Sequence, residues 1–580
     1  MALVEVVVNR PLTLLTMALP TMALLTMALL ASACGLPDIP DPVLLPSGDP
    51  TRPDIVLLSV DTLRADHLSS YGHSRPTSPF IDSLAAQGQR YTQARSASPW
   101  TLPAHTSMMT GQLPTTHLVV DDSLALDPQT RVLPELLSAA GFHTGGFVST
   151  LYVSRVFGFD RGFERFEDFD LHTEKKNLSG QVTMDRVVRE ALQWWAGLPS
   201  GAPVFLFLHT YDAHYAYDPP GAYSRHFDRA PEKGDPKYKN YHHFKKNPLS
   251  DEQLEHQRAQ YDESIRWIDD QLRWLAESAA ISGRQVRFVI TSDHGEEFGE
   301  RGSWGHAHTL YAEQLHIPLI MSGPGLSAQV IDTPVGTQDI APTLLRWAGV
   351  TSGLSADGVD LGPIAAGAPL DRAFPAETTR FSTARLGLRE GDLRLEWDLR
   401  SGEAELFDLA EDSAERINLA PQRPAEVQAL QRRLEQTLGH PWQAEEEGRI
   451  AVKDGVVLMD GLQGASAKVK AGDQFLVVPF DAELRFTRRG ETVGPFQATG
   501  GARPGPGACL RYAGLSGGGS TALTDEQRKM LVELGYMQPD EEAPAAPSPA
   551  ADPSAAAATP CQPLTAPAAP AAPAPAAPTP

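Results

Sequence analysis

The chain opens its ordered pattern with Ile55-Val56-Leu57-Leu58-Ser59-Val60, an apolar run that stops at Asp61. Val204-Phe205-Leu206-Phe207-Leu208 repeats the pattern and runs into His209. Val286 to Ser292 does so again and ends at Asp293. Such runs predict strands buried on both faces of a largely parallel sheet. Phe142–Ser149 and Ile317–Met321 read as two more strands. Between them the spacing turns helical. Thr77–Gln87 has Ser78 as a candidate cap and Pro79 in its first turn. Arg131–Ala140 is closed by Gly141, and 251–279 is a long amphipathic helix with Tyr261, Ile265, Ile268 and Leu272 on one face. Asp339–Ala348 is a further helix. The alternation predicts an α/β fold whose strand ends deliver polar residues to one edge, where open sheets bind ligands.

Beyond residue 385 the pattern changes. Leu393–Trp397 and Glu405–Asp408 read as antiparallel strands, followed by a helix over 425–438. The expected organisation is a leader or anchor over 1–34, a Pro/Gly/Asp-rich linker over 35–50, and a catalytic domain over 51–385. A smaller C-terminal α+β subdomain over 386–444, an accessory β region over 445–540 and an Ala/Pro-rich disordered tail over 541–580 complete it. Thr524–Leu534 reads as a last short helix.

The leader contains the tetrapeptide Thr-Met-Ala-Leu starting at Thr16, Thr21 and Thr26, and ends Ala31-Ser32-Ala33-Cys34. Small residues before Cys34 resemble a lipoprotein cleavage site. An uncleaved anchor and an ordinary signal peptide are the other readings. All three send the catalytic region out of the cytoplasm, to the periplasm, the outer membrane or an inner-membrane anchor. The formal net charge of -23 argues against a nucleic-acid partner. Of the three cysteines, Cys34, Cys509 and Cys561, none lies in the catalytic region. Cysteine nucleophiles and their oxidised products are therefore excluded there.

Asp61, Asp293 and His294 stand at the ends of two buried strands. Two carboxylates and an imidazole at one sheet edge suit a divalent cation. Thr101 lies in Pro99-Trp100-Thr101-Leu102-Pro103-Ala104-His105, ahead of a short helix predicted from Ala104 to Met109. It either caps that helix or acts as a metal-activated alkoxide nucleophile. His209 and His214 share one loop, and His306 and His308 another. All four are candidates for anion contact or proton transfer, and the alternating pair His306/His308 could instead hold a second metal.

These pieces, in this order, resemble the sulfatase family of the alkaline phosphatase superfamily. The resemblance rests on Pro53–Asp61, Tyr71-Gly72, Thr101–His105 with Thr110-Gly111, Thr291–Glu296, Tyr311–Pro318, Asp339–Leu345 and Glu405–Leu409 through Asn418-Leu419. It implies an alkaline-phosphatase-like, mostly parallel sheet flanked by helices. It also shows departures. Thr101 stands where the family usually has the cysteine or serine that matures to formylglycine, so no formylglycine is expected. His105 replaces an arginine, Thr62 an acidic residue, and His294 an asparagine. The Lys and His that usually follow the third strand are missing from Gly145–Thr150. What remains is similar to the superfamily's threonine-nucleophile members. The resemblance implies one divalent ion (Zn, Mn or Ca) on Asp61, Thr101, Asp293 and His294, with Thr101, His105, His214 and His306 as the catalytic set. The expected activity is hydrolysis of a sulfate or phosphate ester, the substrate being a small anionic ester that is glycan- or lipid-linked. The alternatives are an envelope phosphoethanolamine- or phosphoglycerol-type transferase and a non-catalytic anion- or metal-binding protein.

Overall fold

The computed structural model describes residues 36–169, 182–228 and 247–438, apart from positions 123, 352, 381–382 and 400, together with Phe244 and strand segments between 442 and 520. The leader, the tail and the helix expected at Thr524–Leu534 lie outside the described residues. Among the described residues no helix is long and apolar enough to cross a membrane.

The elements that build the site are, in chain order, β1 (Asp54–Val60), α1 (Pro79–Gln87), β2 (Gln89–Tyr91), α2 (Thr101–Thr110), β3 (His143–Phe147), β4 (Arg165–Glu167), α3 (Met184–Ala196), β5 (Val204–Thr210), α4 (Asp251–Ile281), β6 (Val286–Thr291), β7 (Leu319–Ser322), β8 (Gln329–Ile331) and α5 (Ile340–Trp347). The eight strands form one sheet in the order β8-β2-β7-β6-β1-β5-β3-β4. β1 is central and parallel to both neighbours, with Ser59 opposite His209 on one side and Thr291 on the other. β7 is antiparallel to β6 and β2, so the sheet is mixed but mostly parallel.

The unbroken apolar runs have a simple cause. Ile55, Leu57, Phe205, Phe207 and Val289 point into the core shared with α2 and α5. Val56, Leu58, Leu206, Leu208 and Ile290 point into the opposite core, beneath α1, α3 and α4. Both faces are covered, so the middle of each strand is apolar and polar residues gather at its ends. Polarity at Asp61, His209 and Asp293 therefore marks the edge.

Two expectations change. Ser78 does not cap α1; its hydroxyl donates to Asp82, while Asp269 on α4 accepts from the Phe80 and Ile81 amides. A carboxylate with two acceptor atoms satisfies two of the amides left over in a first turn, where one serine could reach one. The 36–50 segment is not a free tether. Val43 and Leu45 amides donate to Ser278 and Ser282 hydroxyls, and Leu36 and Leu45 are buried, so it is strapped along α4.

After the sheet come β9 (Phe374–Thr378), β10 (Arg385–Glu390), β11 (Leu393–Asp398) and β12 (Ala404–Asp408), one antiparallel sheet, with α6 (Pro424–Leu438) packed on it. β9 also closes on the segment leading to Thr101: the Glu377 amide donates to Ala97 O (3.2 Å) and the Ser98 hydroxyl to Glu377 O (3.1 Å). The Glu377 side chain is buried and its Oε1 has no hydrogen-bond partner. Burial pushes this carboxyl up from 4.5 to about 8. Between those values the native state holds a proton that the unfolded chain has lost, so stability should fall as pH rises through the window, by ~1 kcal/mol per pH unit. Glu377→Gln should flatten that slope in denaturant titrations from pH 5 to about 8. An unchanged slope would remove Glu377 as its source.

Candidate active site

α2 begins at Thr101 itself, not at Ala104, and its N-cap position is Trp100, which offers no side-chain cap. The capping reading of Thr101 is thereby replaced. Its hydroxyl lies inside the first turn and meets His294 Nε2 at 3.3 Å. All ten residues of the helix are buried, so the helix is held from every side.

Asp61 and Asp293 reach the same point from adjacent parallel strands. His294 Nε2 is 3.3 Å from Asp293 Oδ2 and 3.8 Å from Asp61 Oδ1. His294 Nδ1 lies 2.9 Å from the Gly295 carbonyl. Its proton belongs there, which leaves the Nε2 lone pair facing two carboxylates. Neither oxygen of Asp61, nor Asp293 Oδ2, has a hydrogen-bond partner, although all are fully buried. Buried acceptors facing one another without a donor are strongly unfavourable unless a cation lies among them. The observed separations also fit: four ligands at ~2.0–2.1 Å around a tetrahedral ion stand ~3.3 Å apart. The residues present therefore suit a divalent metal.

Burial, then the neighbouring Asp293, pushes Asp61 well above the usual carboxylate range. Burial acts in the same direction on Asp293, but His294, His105 and His209 outweigh it and hold the carboxyl low. Burial keeps His105 and His306 neutral, at about 3, and His209 at about 4.

Local backbone choices serve the same point. Thr62, a β-branched residue, sits at φ 59° and its amide faces Asp293 Oδ1 at 3.3 Å. That left-handed geometry is costly for threonine and is stabilised here by a hydroxyl bond to Ala213 O (3.0 Å). Gly295 has no alternative, because a Cβ there would stand 2.2 Å from the Glu313 carbonyl oxygen.

The predicted histidines separate into distinct roles. His306 packs at a 35° tilt against His294 (ring centroids 4.4 Å), and its Nδ1 lies 2.9 Å from Glu296 Oε1. His214 stands edge-on to His306 at 4.9 Å, with Nδ1 2.8 Å from the Tyr215 carbonyl. His105 lies one turn after Thr101 with Nδ1 on the Thr101 carbonyl and Nε2 on Ser59, both 2.9 Å, so it braces the helix, and it also faces Asp293 Oδ2 (3.5 Å) within a cluster with His209. His308 points elsewhere. Ala307 at φ 73° turns its ring away to Ser303 (2.7 Å) and Glu297, so His306 and His308 do not share a metal. His209 is on β5, not on a loop; it is fully buried, both ring nitrogens lack hydrogen-bond partners, and Nε2 is 3.4 Å from Asp61 Oδ2. It can add a nitrogen to the metal's donor set.

Two residues escaped the sequence reading. Glu296 steadies His306 and receives the Tyr217 hydroxyl (2.8 Å); burial pushes its carboxyl up to about 8. Its signal was its place two residues after His294. Arg380 follows β9, lies over the Trp100 ring at 4.7 Å and pairs with Asp122 (3.0 Å) and the Tyr152 hydroxyl (2.7 Å). It brings a cation beside the Trp100-Thr101 segment from far along the chain, where local sequence gave no sign of it.

A family model described as Sulfatase matches residues 53–350, just over half of the 580-residue chain. The chain belongs to the sulfatase family. Among curated relatives, it is 24% identical over 452 residues to choline-sulfatase of Rhizobium meliloti (strain 1021), covering 65% of this chain and 85% of that one. It is 25% identical over 421 residues to arylsulfatase K of Xenopus laevis, covering 63% and 78%. Among solved structures, a protein bound to its substrate D-glucosamine-2-N,6-O-disulfate superposes with a TM-score of 0.57 at 17% identity, covering 67% of this chain and 98% of that one. The phosphonate monoester hydrolase of Agrobacterium radiobacter gives 0.55 at 19% identity, covering 67% and 95%. These likenesses establish the sulfatase fold of the central sheet. Family membership and the curated relatives support a sulfatase-type ester hydrolase.

Proposed function

We propose that this sulfatase-family member hydrolyses a sulfate or phosphate-type ester through Thr101, with no matured cysteine, at a site built for one divalent transition metal. The observation that carries this is the convergence of Thr101 Oγ1, His294 Nε2 and unpartnered oxygens of Asp61 and Asp293 in a fully buried cluster. Asp61, Thr101, Asp293 and His294 would hold the cation, which supplies charge that acidifies the threonine hydroxyl and offsets charge on the transferred group. The nitrogen donors and the short ligand spacing favour Zn or Mn over Ca, which takes oxygen ligands at longer distance.

The threonine oxygen attacks sulfur or phosphorus, the ester oxygen leaves, and water then cleaves the Thr101 adduct. His214 and His306 flank the reaction side and are neutral in the free protein; a bound anionic ester would raise the pKa of both, so that one can protonate the leaving oxygen while the other contacts the ester oxygens. Glu296 orients the His306 ring by its bond to Nδ1. The substrate is a small anionic ester, as in the relatives whose substrates are sulfated sugars. The export and lipid attachment suggested by residues 1–34 would place it outside the cytoplasm.

The reading is tested by offering the purified chain aryl sulfate, phosphate mono- and diesters and phosphonate monoesters with Zn, Mn or Ca. Turnover with Zn or Mn is expected, and no turnover of any ester with any metal would end the proposal. His306→Ala should lower kcat by about 10²-fold or more for poor leaving groups and much less for good ones. An equal loss for both would make His306 a structural residue.

A further inference from the structure

Away from the active site, a small polar cavity lies between the Arg95-Ser96-Ala97 segment and the C-terminal sheet. Arg95, Arg389 and Arg394 line it, with Gln338 and Phe374. We propose that this cavity binds one monatomic anion, chloride under ordinary conditions, with Arg95 as its principal partner.

Arg95 lines the cavity from the segment ahead of α2. It is only 8% exposed, and among the described residues its guanidinium makes no hydrogen bond or ion pair. The other two arginines are committed. Arg394 pairs with Glu396 (2.9 Å) and Glu415 (3.2 Å). Arg389 donates to the Gly391 carbonyl (3.1 Å) and to Gln93 Oε1. Glu415 is the acid that acts on Arg95; its Oε2 serves Arg394 and the Ala312 amide (2.9 Å), its Oε1 has no hydrogen-bond partner, and neither oxygen is in ion-pair contact with Arg95. A buried guanidinium beside two other cations, with no carboxylate in direct contact, is only partly compensated. Burial lowers the Arg95 pKa to about 9, which still leaves it charged at neutral pH.

Size selects the ligand. The empty volume is about 330 Å³, but only about 10 Å³ of it can hold the centre of a water-sized particle. That is room for one such particle, and too little for sulfate or phosphate without movement of the lining. The site is therefore distinct in chemistry from one that takes the ester or its product anion. Its position gives it a consequence. Arg95 opens the segment that ends at Trp100 and Thr101, and β9 is hydrogen-bonded to that segment at Ala97 and Ser98. An anion between Arg95 and Arg389 would tie the C-terminal sheet to the stretch of chain that positions Thr101.

The test uses thermal melts of the full chain in sodium chloride, sodium gluconate and sodium sulfate at matched ionic strength. Chloride is expected to raise the melting temperature saturably above gluconate, and sulfate to show no saturable rise. Arg95→Met should abolish the chloride response or raise its half-saturation at least ten-fold, with bound metal unchanged. Coincident chloride and gluconate melts, or a wild-type response in Arg95→Met, would overturn the proposal. If Arg95→Met does not fold, crystals grown in bromide decide: an anomalous bromide peak beside the Arg95 guanidinium supports the site, and its absence, or a water there, refutes it.

Discussion

Thr101→Ala is expected to lower ester turnover by about 10³-fold or more while the fold survives. The hydroxyl is the one group in the first turn of α2 that meets His294 Nε2, and the substitution removes it from a fully buried helix. Alanine is the better helix former, so the loss of one methyl and one hydroxyl should cost the fold little. Thr101→Ser keeps the oxygen and should retain activity within about ten-fold, since it loses only a methyl group and some rotamer restriction. Activity of the alanine variant above a tenth of wild type would sink the nucleophile assignment. The intact mass of wild-type protein, quenched early with a slow substrate, should also show an adduct that is missing from Thr101→Ala.

Asp61→Asn should weaken cation binding by about 100-fold or more and abolish turnover, yet make the cation-free protein more heat-stable. The two effects come from one cause. Both Asp61 oxygens are buried without hydrogen-bond partners, close to Asp293 and 3.4 Å from His209 Nε2. In the absence of a cation that arrangement is unfavourable, and an amide can donate to the neighbouring acceptors instead, a gain of ~1–3 kcal/mol. With a cation bound, the lost charge matters more and the order reverses. Melts with chelator and with added Zn or Mn would show the crossing. A variant no more stable than wild type in chelator, or with unchanged metal content, would remove Asp61 from the ligand set.

Strands β1, β5 and β6 were legible because each is buried on two faces and is apolar through its middle. The same rule exposed Asp61, Asp293 and His294 as edge residues. His294 was readable as a departure from the family's asparagine, and Thr101 as a departure from its cysteine. For His105, sequence position puts it one turn past Thr101 but does not say that its ring turns inward to Ser59. For His308, alternation with His306 left anion contact and a second metal open, and the positive φ of Ala307 sends the two rings apart.

The chain alone determined the alternation of strands and helices, the place of the sheet edge and the donor types available there. Burial on both faces of a strand leaves a one-dimensional trace, so these could be read directly. Tertiary structure decided the rest. It placed Arg380 over Trp100 and Glu296 under His306, put His209 beside Asp61 through the β1–β5 register, and left Arg95 buried with no carboxylate in ion-pair contact. Each depends on where segments far apart in sequence meet, and no periodicity records the distance between two charges until the chain is folded around them.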